Sequence, residues 1–137
     1  MKPRFITVVL LVVAWACMSS LEAAAQDHST CSNASLKGNY GFVLNGTIVG
    51  VGPIAIVGVA VYDGAGNWTR NETAAVNGNL LPPESVAGTY KVNADCTGSS
   101  LDAIGHHSQF AVVNHGKEIF SLGTDPGSVI TIDAKKQ

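Results

Sequence analysis

Charge is scarce in this chain. Asp, Glu, Lys and Arg make up 13% of the residues, and no basic cluster is larger than the pair Lys135-Lys136. Binding nucleic acid requires clustered Lys and Arg to neutralise phosphates, so that class is set aside. Disorder is excluded on the opposite ground: 46% of the residues are hydrophobic, and a chain stays unfolded when it has too little apolar surface to bury. Helical periodicity is also missing, since after residue 25 almost no segment repeats its apolar residues at intervals of three and four. There is no Gly-x-Ser-x-Gly elbow, and no serine or cysteine stands in a triad setting.

Histidines and carboxylates are equally sparse as site material. His106 and His107 are adjacent, so on a strand they point to opposite faces. His115 falls in a turn and His28 in an N-terminal lead-in, which leaves no histidine set at metal-ligand spacing. The run Asp63-Gly-Ala-Gly66-Asn67 lacks the dense acidic ligands of a calcium loop. Asp63, Asp95 and Asp125 sit in turn contexts, where a carboxylate accepts backbone N–H bonds. No metal, no cofactor and no catalytic residue is assigned.

The one long apolar run lies at the N-terminus. Lys2 and Arg4 precede about 14 apolar residues from Phe5 to Met18, short of the roughly 20 that span a bilayer. Ala23-Ala24-Ala25 then supplies the small residues a signal peptidase needs. The expectation is a signal peptide over residues 1–25, followed by one domain over residues 26–137 that is secreted or periplasmic and has no membrane span. A lipoprotein site at Cys17 fits less well, with Trp15 in the way and Ala14 where the leucine is missing. After residue 25, six Lys and Arg stand against nine Asp and Glu, a net charge of about −3. That length supports a single core.

Two cysteines follow the leader. In an oxidising compartment the simplest outcome is a Cys31–Cys96 disulfide.

The remaining chain consists of short apolar runs separated by glycine-rich turns, an all-β pattern. Strands are expected near residues 39–49, 53–62, 67–76, 85–93, 99–104, 107–114, 117–122 and 128–134, with residues 77–84 as a longer loop containing Pro82 and Pro83. Tight turns such as Asp63-Gly-Ala-Gly66 and Asp125-Pro-Gly127 make this an antiparallel meander. Eight such strands close an up-and-down barrel; a β-sandwich would need a long crossover that only the proline loop could supply. The strand from Pro53 to Tyr62 is apolar on both faces, which normally means cover on both. One cover is the barrel interior, and the other is expected to be a second copy of the chain, giving a homo-oligomer.

Aromatic residues are few, 7% of the chain, and are the one lead to a site. Tyr40, Phe42, Tyr90, Phe110 and Phe120 are expected to line the lumen as the wall of a small apolar ligand pocket. The alternative is a lumen filled by its own side chains.

Three motifs, Cys31-Ser-x-x-Ser35-Leu36-x-Gly38-x-Tyr40-x-Phe42, Asp63-Gly64-x-Gly66-Asn67 and Gly88-Thr89-Tyr90-x-Val92-x-x-Asp95-Cys96-Thr97-Gly98, together resemble a group of exported, mostly uncharacterised bacterial proteins. Their architecture is similar to allene oxide cyclase and lipocalin-type (calycin) barrels. Gly38-Asn39-Tyr40 is similar to the Gly-x-Trp opening of the first lipocalin strand, with tyrosine in place of tryptophan. The resemblance implies a ligand held in the lumen. It implies no catalytic residue, because none here matches a catalytic position of the cyclases. Three functions are carried forward: a binding module for a small apolar molecule, an envelope structural protein with a filled barrel that assembles through its outer face, and a cofactor-free cyclase or isomerase. The last would be marked by a buried polar residue such as His107, Gln109 or Glu118 pointing inward.

Overall fold

The structure is a computed structural model and describes residues 30–137. The expected leader over residues 1–25, its cleavage point, Cys17 and His28 lie outside the described residues.

The nine strands are β1 (Lys37–Ile48), β2 (Gly52–Asp63), β3 (Asn67–Val76), β4 (Asn79–Leu80), β5 (Glu84–Val92), β6 (Thr97–Asp102), β7 (His107–Val113), β8 (Glu118–Gly123) and β9 (Ser128–Lys136). Eight of them form a closed antiparallel ring. Each pairs with its chain neighbour, β3 pairs with β5, and β9 returns to β1, as in Phe42 opposite Ala134. The loop expected over residues 77–84 instead carries β4, a two-residue strand on the edge of β3. A tight turn at Asn77 and Gly78, both at positive φ, folds it back there.

Alternation along the strands sends Tyr40, Phe42 and Leu44 of β1, Ile56 and Ala60 of β2, Tyr90 and Val92 of β5, and Phe110 and Val112 of β7 into one buried core. Inward-facing glycines make room for large rings. A Cβ on Gly88 would overlap the Trp68 ring, and one on Gly98 would overlap Phe110.

One end of the barrel is plugged. The disulfide Cys31–Cys96, with Cα atoms 5.0 Å apart, anchors a short 3-10 turn (Asn33–Ser35) and the fully buried Leu36 across the opening. Asn33 Oδ1 accepts the Val92 N–H at 2.8 Å, and the Tyr90 hydroxyl donates to the Leu36 carbonyl at 2.9 Å. The Tyr40 hydroxyl donates to the carbonyl of Gly116, in a second 3-10 turn (Asn114–Gly116). The opposite end carries the connections after β1, β3, β6 and β8. Among the described residues no helix is long and apolar enough to cross a membrane.

Candidate functional site

Inside the barrel, strand alternation brings an apolar set and a polar set around one small cavity. Phe42, Trp68, Phe110, Ile119 and Ile132 supply the apolar wall, and Tyr62, Arg70, Ser100, Ser108 and Ser121 supply polar atoms. The cavity is about 60 Å³. That is room for a few waters, and less than the roughly 150 Å³ of an apolar cavity that takes benzene. Most of the lumen is therefore filled by side chains, and the ring-lined volume is a chamber within a packed barrel.

A buried ionic cluster flanks this chamber. Arg70 and Glu72 are on the same face of β3, and the guanidinium engages Glu72 through Nε and through Nη2, the latter 3.4 Å from Oε1. Arg70 Nη2 is also 3.7 Å from Asp102 Oδ2 at the end of β6. The side chains of Arg70, Glu72 and Asp102 are 16%, 2% and 4% exposed. The guanidinium lies 5.1 Å from the centre of the Trp68 ring, a cation–π distance. Asp102 Oδ1 accepts the backbone N–H groups of Ile104 at 3.1 Å and His106 at 2.9 Å, and His106 Nδ1 lies 3.2 Å from Oδ2. Burial pushes the Glu72 carboxyl above its ordinary range, against the pull of Arg70. Burying three charges is costly, and well-packed apolar side chains of similar volume often serve stability as well or better.

The chamber also holds polar atoms without partners. Trp68 Nε1 donates to Ser100 Oγ at 2.9 Å, which leaves the Ser100 O–H free to donate. Among the described residues the Tyr62 hydroxyl, Ser108 Oγ and Arg70 Nη1 make no side-chain hydrogen bond and are reached by water, whereas the fully buried Arg70 Nε and Glu72 Oε2 face only each other.

The expected site residues separate into three groups. Phe42 and Phe110 line the chamber. Tyr40 and Tyr90 are buried at the plugged end, each edge-on to Tyr62 with ring centres 5.2 Å apart. Burial raises the pKa of all three phenols, that of Tyr62 to about 12. Phe120 faces outward and is 48% exposed, because Ile119 and Ser121 occupy the inward positions of β8. His107, Gln109 and Glu118 lie on outward faces as well; His107 Nδ1 is 3.0 Å from Asp125 Oδ1.

Arg70, Glu72, Asp102, Trp68 and Ser100 were not among the expected site residues. Their signal lies in the alternation Trp68, Arg70, Glu72, Ala74, which puts two charges on the same strand face as a tryptophan and an alanine.

Compared with known proteins, the chain matches no family model and no curated protein sequence. Among solved structures it is similar to a de novo designed fluorescence-activating β-barrel. The identity is 9%, the match covers 75% of this chain and 94% of that one, and the TM-score is 0.49.

Proposed function

We propose that this domain is a binding module that holds a small molecule in its lumen, the apolar body against Phe42, Trp68, Phe110, Ile119 and Ile132 and a polar end at Arg70. The observation that carries this reading is the buried Arg70–Glu72–Asp102 cluster beside a ring-lined chamber. Well-packed apolar side chains serve a barrel filled only for stability as well as three buried charges do, and a desolvated carboxyl paired with a cation beside a cavity points to a functional site. The size of the chamber limits the ligand to a few heavy atoms unless side chains move. Tyr40 and Tyr90 take the part of a rigid floor. The reading is tested by following Trp68 fluorescence during titration with small lipophilic compounds. Saturable change that is lost in Phe110→Trp, which fills the chamber, is expected; a response that survives filling would place the binding elsewhere.

The motif resemblance to exported cyclase- and lipocalin-type barrels supports the same reading and an extracytoplasmic location, as does the disulfide. We propose that residues 1–25 are removed on export and that residues 26–137 form the mature domain, which mass spectrometry of the exported protein would test through an N-terminus at Gln26.

A second reading concerns the outer wall. Val57 is 62% exposed, Val61 42% and Val43 41%, with Val43 directly opposite Val57. This apolar stripe supports pairing of two copies through β2. Sedimentation is expected to show a dimer that Val57→Lys dissociates, and a monomer at high concentration rules it out.

A further inference from the structure

Building on the lumen-binding reading, we infer that the polar end of the ligand is a neutral hydrogen-bond acceptor, a carbonyl oxygen, rather than a carboxylate or an amine. The polar atoms around the chamber divide into those that already face a partner and those that do not. Its carboxylate acceptors already face donors. Both Glu72 oxygens face Arg70. Asp102 Oδ1 takes two backbone N–H groups, while Oδ2 is shared by Arg70 Nη2 and His106 Nδ1.

Its donors are not engaged. Arg70 Nη1, the Tyr62 hydroxyl and the hydroxyls of Ser100 and Ser108 belong to residues that line one cavity, and among the described residues none donates to another group. The hydroxyls can accept as well as donate, but Arg70 Nη1 can only donate; the Ser100 oxygen already receives the Trp68 indole N–H at 2.9 Å, and the Tyr62 phenol, with its pKa raised to about 12, keeps its proton available to a ligand. Donors without acceptors ask the ligand to bring the acceptor.

Charge then separates the acceptor classes. One guanidinium faces two carboxyl groups, so the site holds no net positive charge in surroundings of low dielectric. A ligand carboxylate would find nothing to offset its charge and would carry its own desolvation cost. An amine would meet the Arg70 guanidinium, a like charge, and would have to compete with Arg70 and His106 for the carboxylate oxygens. A carbonyl accepts from the free donors, brings no charge, and leaves its hydrocarbon substituents for Phe42, Phe110 and Ile119.

The test uses three probes of equal heavy-atom count, acetone, acetate and isopropylamine, together with xenon as a purely apolar probe, each titrated at pH 7.5 into the ¹⁵N-labelled protein. The readouts are the Trp68 indole N–H and the Ser100 and Ser108 amides. Fragments of four heavy atoms bind no tighter than roughly tens of micromolar, so the titrations extend into the millimolar range. Acetone is expected to shift these signals saturably, at concentrations about tenfold below acetate or isopropylamine. Ser108→Ala and Tyr62→Phe are each expected to weaken acetone several-fold while leaving the xenon response in place. If acetate or isopropylamine equals or outdoes acetone while xenon still occupies the chamber, the head-group inference is wrong and the lumen reading stands. If no probe, xenon included, moves these signals, the lumen reading itself fails.

Discussion

Arg70 and Glu72 form an ion pair two positions apart on the inward face of β3, with the Glu72 side chain 2% exposed. Each partner makes the other's burial tolerable. Arg70→Met removes the only cation among Arg70, Glu72 and Asp102 and is expected to cost about 3–5 kcal/mol, since it leaves buried carboxylates uncompensated. The double variant Arg70→Met with Glu72→Leu is expected to be more stable than Arg70→Met alone. Urea denaturation of the two single variants and the double variant measures this coupling; additive costs would refute it.

Gly88 lies against Trp68. A methyl group there would overlap the indole ring and crowd the Leu101 carbonyl, so Gly88→Ala is expected to lose about 1–3 kcal/mol through overpacking. Trp68 emission should shift as well, because the ring must leave Ser100. Thermal unfolding followed by fluorescence reads both effects.

The Tyr40 hydroxyl is the partner of a carbonyl in a buried residue, Gly116. Tyr40→Phe keeps the ring and leaves that carbonyl unsatisfied, which is expected to cost about 1–3 kcal/mol. The check is a lower urea midpoint with an unchanged m-value.

Removing the covalent tie at the plugged end, by Cys31→Ser with Cys96→Ser, is expected to cost about 2–4 kcal/mol. The tie holds the stretch from Cys31 to Leu36, so hydrogen exchange should accelerate first at the Val92 amide, which bonds Asn33.

Acid should weaken the fold through the turns. The Asp63 carboxyl is held down to about 2, first by the Asn67 side chain and then by backbone N–H groups of the same turn, against an ordinary value of 3.8. A carboxyl lowered in this way contributes its full stabilisation above its unfolded value and loses it as pH falls from 3.8 toward 2. Asp63→Asn is expected to flatten the decline of the urea midpoint across that window. Glu72 acts in the opposite direction: because burial raises its carboxyl, stability gains as pH falls through its folded value. Parallel curves for wild type and Asp63→Asn across the window would rule out the turn as the source.

The strands and their order were legible in the sequence because turn chemistry punctuates them. Asp63 accepts from the N–H groups of Ala65, Gly66 and Asn67, as its place in a Gly-rich turn suggested, and the disulfide follows from two cysteines after an apolar leader. The expected strand at residues 99–104 is observed at Thr97–Asp102, so Asp102 closes a strand with its side chain inside. The ionic cluster was hidden for a physical reason. On β3 the outward residues Thr69, Asn71 and Thr73 are polar, so the charges at Arg70 and Glu72 did not stand out against them, and only Trp68 and Ala74 mark that face as the inner one. Phe120 misled because an aromatic side chain suggests burial. Its neighbour Ile119 is the inward residue, and a single exposed ring on a strand is not unusual.

Closure of the cylinder joins the first strand to the last, with Tyr40 opposite Lys136. A nascent chain can lay down seven of the barrel staves and still have both borders open, since the edge of β1 away from β2 stays bare until residues 128–136 have been synthesised. Such a long-range final step slows folding and leaves two unsatisfied edges exposed to other chains in the meantime. Shortening the C-terminus by a single strand would therefore turn this self-contained ring into a ribbon prone to aggregation.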